Sequence, residues 1–306
     1  MESSILEFTL KLTRATYASA VVRLALALSA LVISACAGTV TSDTDPSGTT
    51  ATTVAPTGPT STVPPVVDCP GAGEFEEGTG IARIDGAGSD STRLGRISWR
   101  VSDQCESFSF EFETAEGAPA TTVPELRVAH LESFQVIRVE MSLSQSIVAD
   151  QLVETDLVKR LYVVRALDGS TFVDLHLARP AAARARVAAS PARLTVDLRP
   201  GFVDFAGTSA LDDQVVVVSP PSGADVDRLT SFTGYARPAF SPVAIVVTQG
   251  GAVVAETETV LADPAAGWAE FRHQIALPSG ELLVLVGGQD PDGAIVDGVT
   301  VDLTAG

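Results

Sequence analysis

Positive charge is what this sequence has least of. Twenty Lys and Arg face 38 Asp and Glu over 306 residues, for a formal net charge of -18. A grip on nucleic-acid phosphates needs clustered cations, so nucleic acid is excluded as a partner. The same sign excludes simple electrostatic adhesion to anionic lipid headgroups. Histidine is scarce too. His130, His176 and His273 stand far apart and at no ligand spacing from a cysteine, so no metal is expected. There is no nucleophile elbow, zinc-binding helix or phosphate-cradling loop. Gly71-Ala72-Gly73 and Gly78-Thr79-Gly80 lack the Lys-Ser/Thr partner and following helix that such a loop needs, and read as a pliant approach to the first folded unit. No catalytic residue, cofactor or enzymatic activity is therefore expected. Long alternation of strands and helices is also missing, which disfavours the large α/β lobes of a solute-capturing protein. In their place Thr, Ser, Gly and Pro are abundant, a composition of turns and linkers rather than long helices.

What is there begins with a leader. Lys11, Arg14 and Arg23 precede an apolar run, Leu24 to Ile33, long enough for the core of a signal peptide and too short for a membrane span of about 20 residues. Ile33-Ser34-Ala35-Cys36 follows at once and resembles the lipobox of bacterial lipoproteins. That resemblance implies a leader over residues 1–35, cleavage before Cys36 and a diacylglyceryl group on its sulfur. It places the chain on the extracytoplasmic face of the cell membrane, held through the lipid at Cys36. An ordinary secretion signal with an incidental cysteine is the alternative. Three cysteines is an odd count for an exported chain. With Cys36 lipidated, Cys69 and Cys105 remain as a disulfide pair suited to an oxidising compartment, or else as two buried thiols. Residues 36–66 hold almost no core-forming side chains after the cysteine and read as a disordered Thr/Ser/Pro tether.

From 67 to 206 the pattern is that of short strands. Phe108, Phe110 and Phe112 alternate with Ser109, Glu111 and Glu113, and Ile137, Val139 and Met141 alternate with Arg138 and Glu140. Asp168-Gly169 marks a hairpin between two further strands. Ser144 to Val158 reads as one short helix or an irregular loop. The aromatic-acidic strand, the Gly/Ala/Pro-rich gap from Gly117 to Pro124 and the closing Ser190-Pro191-Ala192-Arg193-Leu194-Thr195-Val196-Asp197-Leu198 are similar to AMIN-like domains of bacterial envelope proteins. The resemblance implies a β-domain associated with localisation or peptidoglycan binding. Cys105-Glu106-Ser107 stands where that family usually carries Asp-Arg, a departure at the place of any shared ligand.

Residues 202–212 read as a connector, and 207–306 as a second β-unit. Gln249-Gly250-Gly251-Ala252 is a hairpin turn, since paired glycines accept positive φ at both central positions. Val215 to Val226, Thr233-Gly234-Tyr235-Ala236-Arg237, Gly267-Trp268-Ala269-Glu270-Phe271 and Asp290-Pro291-Asp292-Gly293 come in the order seen in the immunoglobulin-like domain of bacterial spore-germination proteins, which this unit resembles. The resemblance implies a β-sandwich in which Gly234 permits a close backbone approach and Trp268 is a core residue. The Asp290–Gly293 acids read as a polar turn, because the twelfth position of a calcium loop counted from Asp290 is Val301.

Fourteen of the twenty basic residues fall within 67–206, whereas the second unit has only Arg228, Arg237 and Arg272 against thirteen acids. Arg184, Arg186 and Arg193, near the end of the first unit, are therefore the candidate contacts for an anionic cell-wall polymer. The expectation is a mostly β, non-enzymatic envelope lipoprotein that binds or scaffolds at the cell wall, with peptidoglycan or another envelope protein as partner. A solute-binding or accessory lipoprotein of a transport or signalling machine is the alternative.

Overall fold

The computed structural model describes residues 69, 71, 73–102, 105–263, 265–289 and 294–306. The leader, Cys36, the tether and the Asp290–Gly293 turn lie outside the described residues. Everything described falls within one compact unit, Val63–Gly306. Its regular structure is strand apart from one short 3-10 turn, and no helix among the described residues is long and apolar enough to cross a membrane.

The first lobe runs through β1 (Gly80–Ile84), β2 (Arg93–Ser102), β3 (Cys105–Glu113), β4 (Leu126–His130), β5 (Val136–Met141), β6 (Gln145–Ser146), β7 (Gln151–Leu152), β8 (Val158–Arg165), β9 (Thr171–Leu177), β10 (Ala181–Ala188) and β11 (Arg193–Pro200). Alternation decides its packing. Phe108, Phe110 and Phe112 on β3 and Leu194, Val196 and Leu198 on β11 point inward from a five-stranded sheet, β10-β11-β3-β2-β6. They meet Val128, Ile137, Val139, Leu161, Val173 and Leu175 from β4, β5, β8 and β9. Residues 144–158 form no helix. They hold β6, β7 and irregular backbone, through which Val148, Val153 and Leu157 pack on the first core while Ile147 and Leu152 stay exposed.

The second lobe contains β12 (Thr208–Leu211), β13 (Val215–Ser222), β14 (Ala224–Val226), β15 (Leu229–Ala236), a single 3-10 turn (Pro238–Phe240), β16 (Val243–Gln249), β17 (Ala252–Thr259), β18 (Ala269–Ala276), β19 (Gly280–Gln289) and β20 (Ile295–Ala305). Its two layers, β12-β13-β15-β18 and β14-β20-β19-β16-β17, enclose Val215, Phe232, Ile245, Phe271, Val284 and Val301 as a sandwich core. The stretch read as a connector contributes a strand, β12. Gly250 and Gly251 form the two-residue turn between β16 and β17 at φ +57° and +82°. At Gly234 a Cβ would stand 2.1 Å from the Val216 carbonyl oxygen and 2.7 Å from Cζ of Phe271. The first of these neighbours is backbone and cannot yield, so Gly234→Ala should cost about 3 kcal/mol, the upper end for overpacking, in a urea-unfolding comparison.

The lobes are not strung apart. β1-β4-β5-β9-β8 continues into β18-β15-β13-β12 as one ten-stranded sheet, joined where β8 and β18 pair at Arg165 and Ala269. The faces turned away from the two cores pack on each other through Val136, Tyr162, Val164, Phe172, Val216, Val218, Tyr235 and Trp268. Trp268 is thus buried at this seam and not inside the sandwich core. β9 is buried on both faces, its apolar side against the first core and its polar side under the second lobe.

Candidate functional site

The arginines singled out from the sequence come first. Asp197 on β11 is fully buried and accepts bonds from Arg184 Nη2 (2.9 Å), Arg186 Nε (2.7 Å) and Ser107 Oγ (2.7 Å). Burial opposes its charge, but the bonds from Arg186, Ser107 and Arg184 hold the carboxyl below the ordinary range. Arg184 is only 5% exposed, and its remaining N–H groups donate to the carbonyls of Cys69, Gly71 and Gly73. The expectation that Arg184, Arg186 and Arg193 form one polymer-binding surface is therefore corrected. Arg184 is an internal counterion of Asp197, Arg186 pairs with the same carboxylate from a side chain about one-third exposed, and Arg193 stays exposed opposite Glu111. The glycines read as a pliant approach are what the cluster needs, since a Cβ on Gly71 would lie 2.9 Å from Arg186 Nη1.

Beside this cluster, Cys69 and Cys105 form a disulfide with Cα atoms 5.5 Å apart. Closing a 36-residue separation stabilises by about 3–4 kcal/mol on the chain-entropy account. The departure from the AMIN-like pattern now has a structural reading. Cys105 makes the disulfide, Glu106 accepts from Leu157 N (2.8 Å) and Thr155 Oγ1 (2.6 Å), and Ser107 supports Asp197.

Two cavities open beside the seam. The first, a trench of about 500 Å³, is lined by Arg83, Arg127, Glu140, Phe172, Glu270 and Arg272 among others. The second is a groove of about 810 Å³ between the 131–133 turn and the β13–β15 segment, including Pro220, Pro221, Asp225, Asp227 and Leu229. Arg138 lines both. Its guanidinium makes a two-bond pair with the buried Asp174 (2.8 and 2.7 Å) and sits 3.8 Å from the Phe172 ring centroid. Desolvation opposes the Arg138 charge, and Asp174 more than restores it. Pairing register explains the floor, because Arg83 lies opposite Arg127, Arg127 opposite Glu140 and Glu140 opposite Phe172 across β1, β4, β5 and β9.

The walls carry looser pairs. Arg83–Glu125 (3.3 Å) and Arg127–Glu140 (3.4 Å) are well exposed, and such pairs contribute about 0–1 kcal/mol. A ligand with both charge signs can displace them at little cost. The seam itself is polar as well as aromatic. Arg160–Asp213 (2.5 Å) and Arg237–Asp150 (3.3 Å) cross between lobes, and Glu270 accepts from Leu167 N (3.0 Å). His176 Nε2 meets the Tyr235 hydroxyl at 2.5 Å. All three histidines lie in strands, but His130 and His176 are buried. The alternation at Arg138 and Glu140 was readable as a wet strand face. That the second lobe would stand over it was not.

Among the described residues no group of three His, Cys, Asp or Glu is placed to hold a metal ion. No protein-family model matches the chain, and no curated protein matches it either. Among solved structures, the crystal structure of an engineered protein is similar to it at 26% identity, over 30% of this chain and 20% of that chain, with a TM-score of 0.22. At that TM-score the likeness carries no argument about fold or function.

Proposed function

We propose that this chain is a non-enzymatic lipoprotein of the cell envelope, anchored through Cys36, that binds or scaffolds at the cell wall with the seam trench as its contact surface. The observation that carries the reading is the order of parts: leader, lipobox, Thr/Ser/Pro tether, then a disulfide-bonded β body. The disulfide fits an oxidising compartment. The trench supports a ligand bearing carboxylate and ammonium groups together, as the peptide stems of peptidoglycan do. Its Arg83, Arg127 and Arg272 lie beside Glu125, Glu140 and Glu270. Arg193 remains exposed as an accessory contact, while Arg184 and Arg186 are occupied by Asp197.

Two measurements test this. Cys36→Ala should move the protein wholly from the detergent phase to the aqueous phase on phase partitioning, and persistence in the detergent phase sinks the anchor. The full-length protein should co-sediment with purified cell-wall sacculi, and Arg83→Glu with Arg127→Glu should weaken that association several-fold, more so at low salt. Undiminished sedimentation of the double variant removes the trench from the proposal, and no sedimentation of the parent removes the wall.

A further inference from the structure

We infer that the open edge of β17 docks an extended cationic segment of another protein as an added strand. This stands whether or not Cys36 is lipidated. β17 is the last strand of its sheet and, among the described residues, its backbone ladder pairs only with β16. Thr257 and Thr259 on its inner face reach His273 and the Arg272 carbonyl of β18 in the facing layer, and one row of its backbone N–H and C=O groups is left without a ladder partner. Proteins usually blunt such edges with Lys, Pro or very short strands. β17 has eight residues and neither Lys nor Pro, and it leaves Val253 60% exposed, with Val260 just beyond its end 71% exposed. Its register is firm, since a shift between Val247 and Thr248 sets Val253 opposite Thr248 and Ala255 opposite Val247. Beyond Thr248 lies Leu283, also exposed, so the aliphatic edge extends across β16 onto β19.

Charge selects the occupant. The strands of this sheet carry Asp225, Glu256, Glu258, Glu281, Asp297 and Asp302 and not one Lys, Arg or His. Glu256 and Glu258 are two residues apart and so share one face at the edge. No cation of the sheet stands opposite either, because Glu256 faces Val246 and Glu258 faces Ala244. A second copy of this chain would set like charges side by side, which is destabilising for directly opposed cross-strand residues. A segment with Lys or Arg at alternate positions and an aliphatic residue beside them meets both acids, covers the exposed valines and completes the ladder. Main-chain bonds supply affinity in this mode, and the alternate side chains supply choice of partner.

The test uses the full chain in detergent and a fluorescein-labelled peptide, Thr-Val-Lys-Val-Lys-Val-Thr. The peptide should bind and slow amide hydrogen exchange along β17. Glu256→Lys with Glu258→Lys should weaken binding about tenfold, as two favourable cross-strand pairs become repulsive. The same peptide with Glu for Lys should bind that variant and not the parent. Glu281→Lys, on β19, should leave affinity within about twofold, since it lies away from the edge. These positions are exposed, and an unchanged melting temperature certifies the fold. The inference is overturned by failure of the charge-swapped pair to recover binding, by equal loss in Glu281→Lys, or by no change in β17 exchange. Protection of β17 by self-association without peptide also overturns it, in favour of a second copy.

Discussion

Asp197→Ala should lower the unfolding free energy by about 3–5 kcal/mol, the cost of stranding a buried countercharge. The charge left behind is Arg184, whose side chain is almost wholly inside and whose Nε and Nη2 both point at Asp197 (3.2 and 2.9 Å). Losing the carboxylate also releases the geometry that aims Arg184 at the carbonyls of Cys69, Gly71 and Gly73, which holds the approach segment beside the disulfide. Arg186→Ala should cost much less, because its side chain is about one-third exposed and water can take over some of its role. Urea unfolding reads both variants as a fall in midpoint with little change in slope. Replacing the pair together, Arg184→Met with Asp197→Leu, should recover only part of the loss. Apolar substitution of a buried pair is often neutral, but here Arg186, Ser107 and the carbonyls of Cys69, Gly71 and Gly73 lose their partners. If Asp197→Ala unfolds within about 0.5 kcal/mol of the parent, as a surface substitution would, the clamp reading fails and these arginines return as ligand contacts.

That cluster shows what the sequence did and did not make legible. Alternation on β3 was enough to bury Phe108, Phe110 and Phe112, because a period of two assigns one face to the core whatever the partner is. Gly250-Gly251 announced its turn through the positive φ that only glycine accepts cheaply, and Gly234 fitted the close approach the immunoglobulin-like resemblance implied. What alternation cannot say is whether the polar face meets water. On β9, Asp174 and His176 look like the wet side of a strand, yet both are fully buried. Their cover comes from Tyr235, about sixty residues further along, brought there by the β8–β18 pairing and the packing of the seam. The arginines near the end of the first lobe misled for the same reason. Their counter-ion Asp197 sits on the neighbouring strand β11, at the position paired with Arg184. Local composition registers charge, and only strand pairing shows where it is spent.

Between pH 6.5 and about 4 the protein should lose about 3 kcal/mol of stability for each of two histidines, His130 and His176. Burial pushes both imidazoles down from 6.5 to about 4, since neither site can solvate the cation. Glu77 opposes the shift at His130, and Asp174 opposes it at His176. Around His176 the facing groups are Tyr235 from β15, Tyr162, Lys159 and Arg160 from β8, Arg138 from β5 and Asp174 from its own strand. A histidine whose folded pKa is depressed favours the fold fully above 6.5, because the unfolded chain takes up protons first as the pH falls. The loss therefore accrues between 6.5 and about 4 and levels off below. Carboxylates act in a separate window. Asp168, Asp197 and Asp213 are held below 3.8, so their contribution persists until the pH falls past that value. Urea-derived unfolding free energies taken every half pH unit should fall by up to about 2.7 kcal/mol per unit where both histidines titrate. His176→Gln should halve that slope, and His130→Gln should halve it independently, since the two lie in different surroundings. The seam should respond first, with the fluorescence of Trp268 changing before far-ultraviolet circular dichroism does. A profile that stays level from pH 6.5 to 4 and collapses only below would show that the histidines do not carry the acid sensitivity.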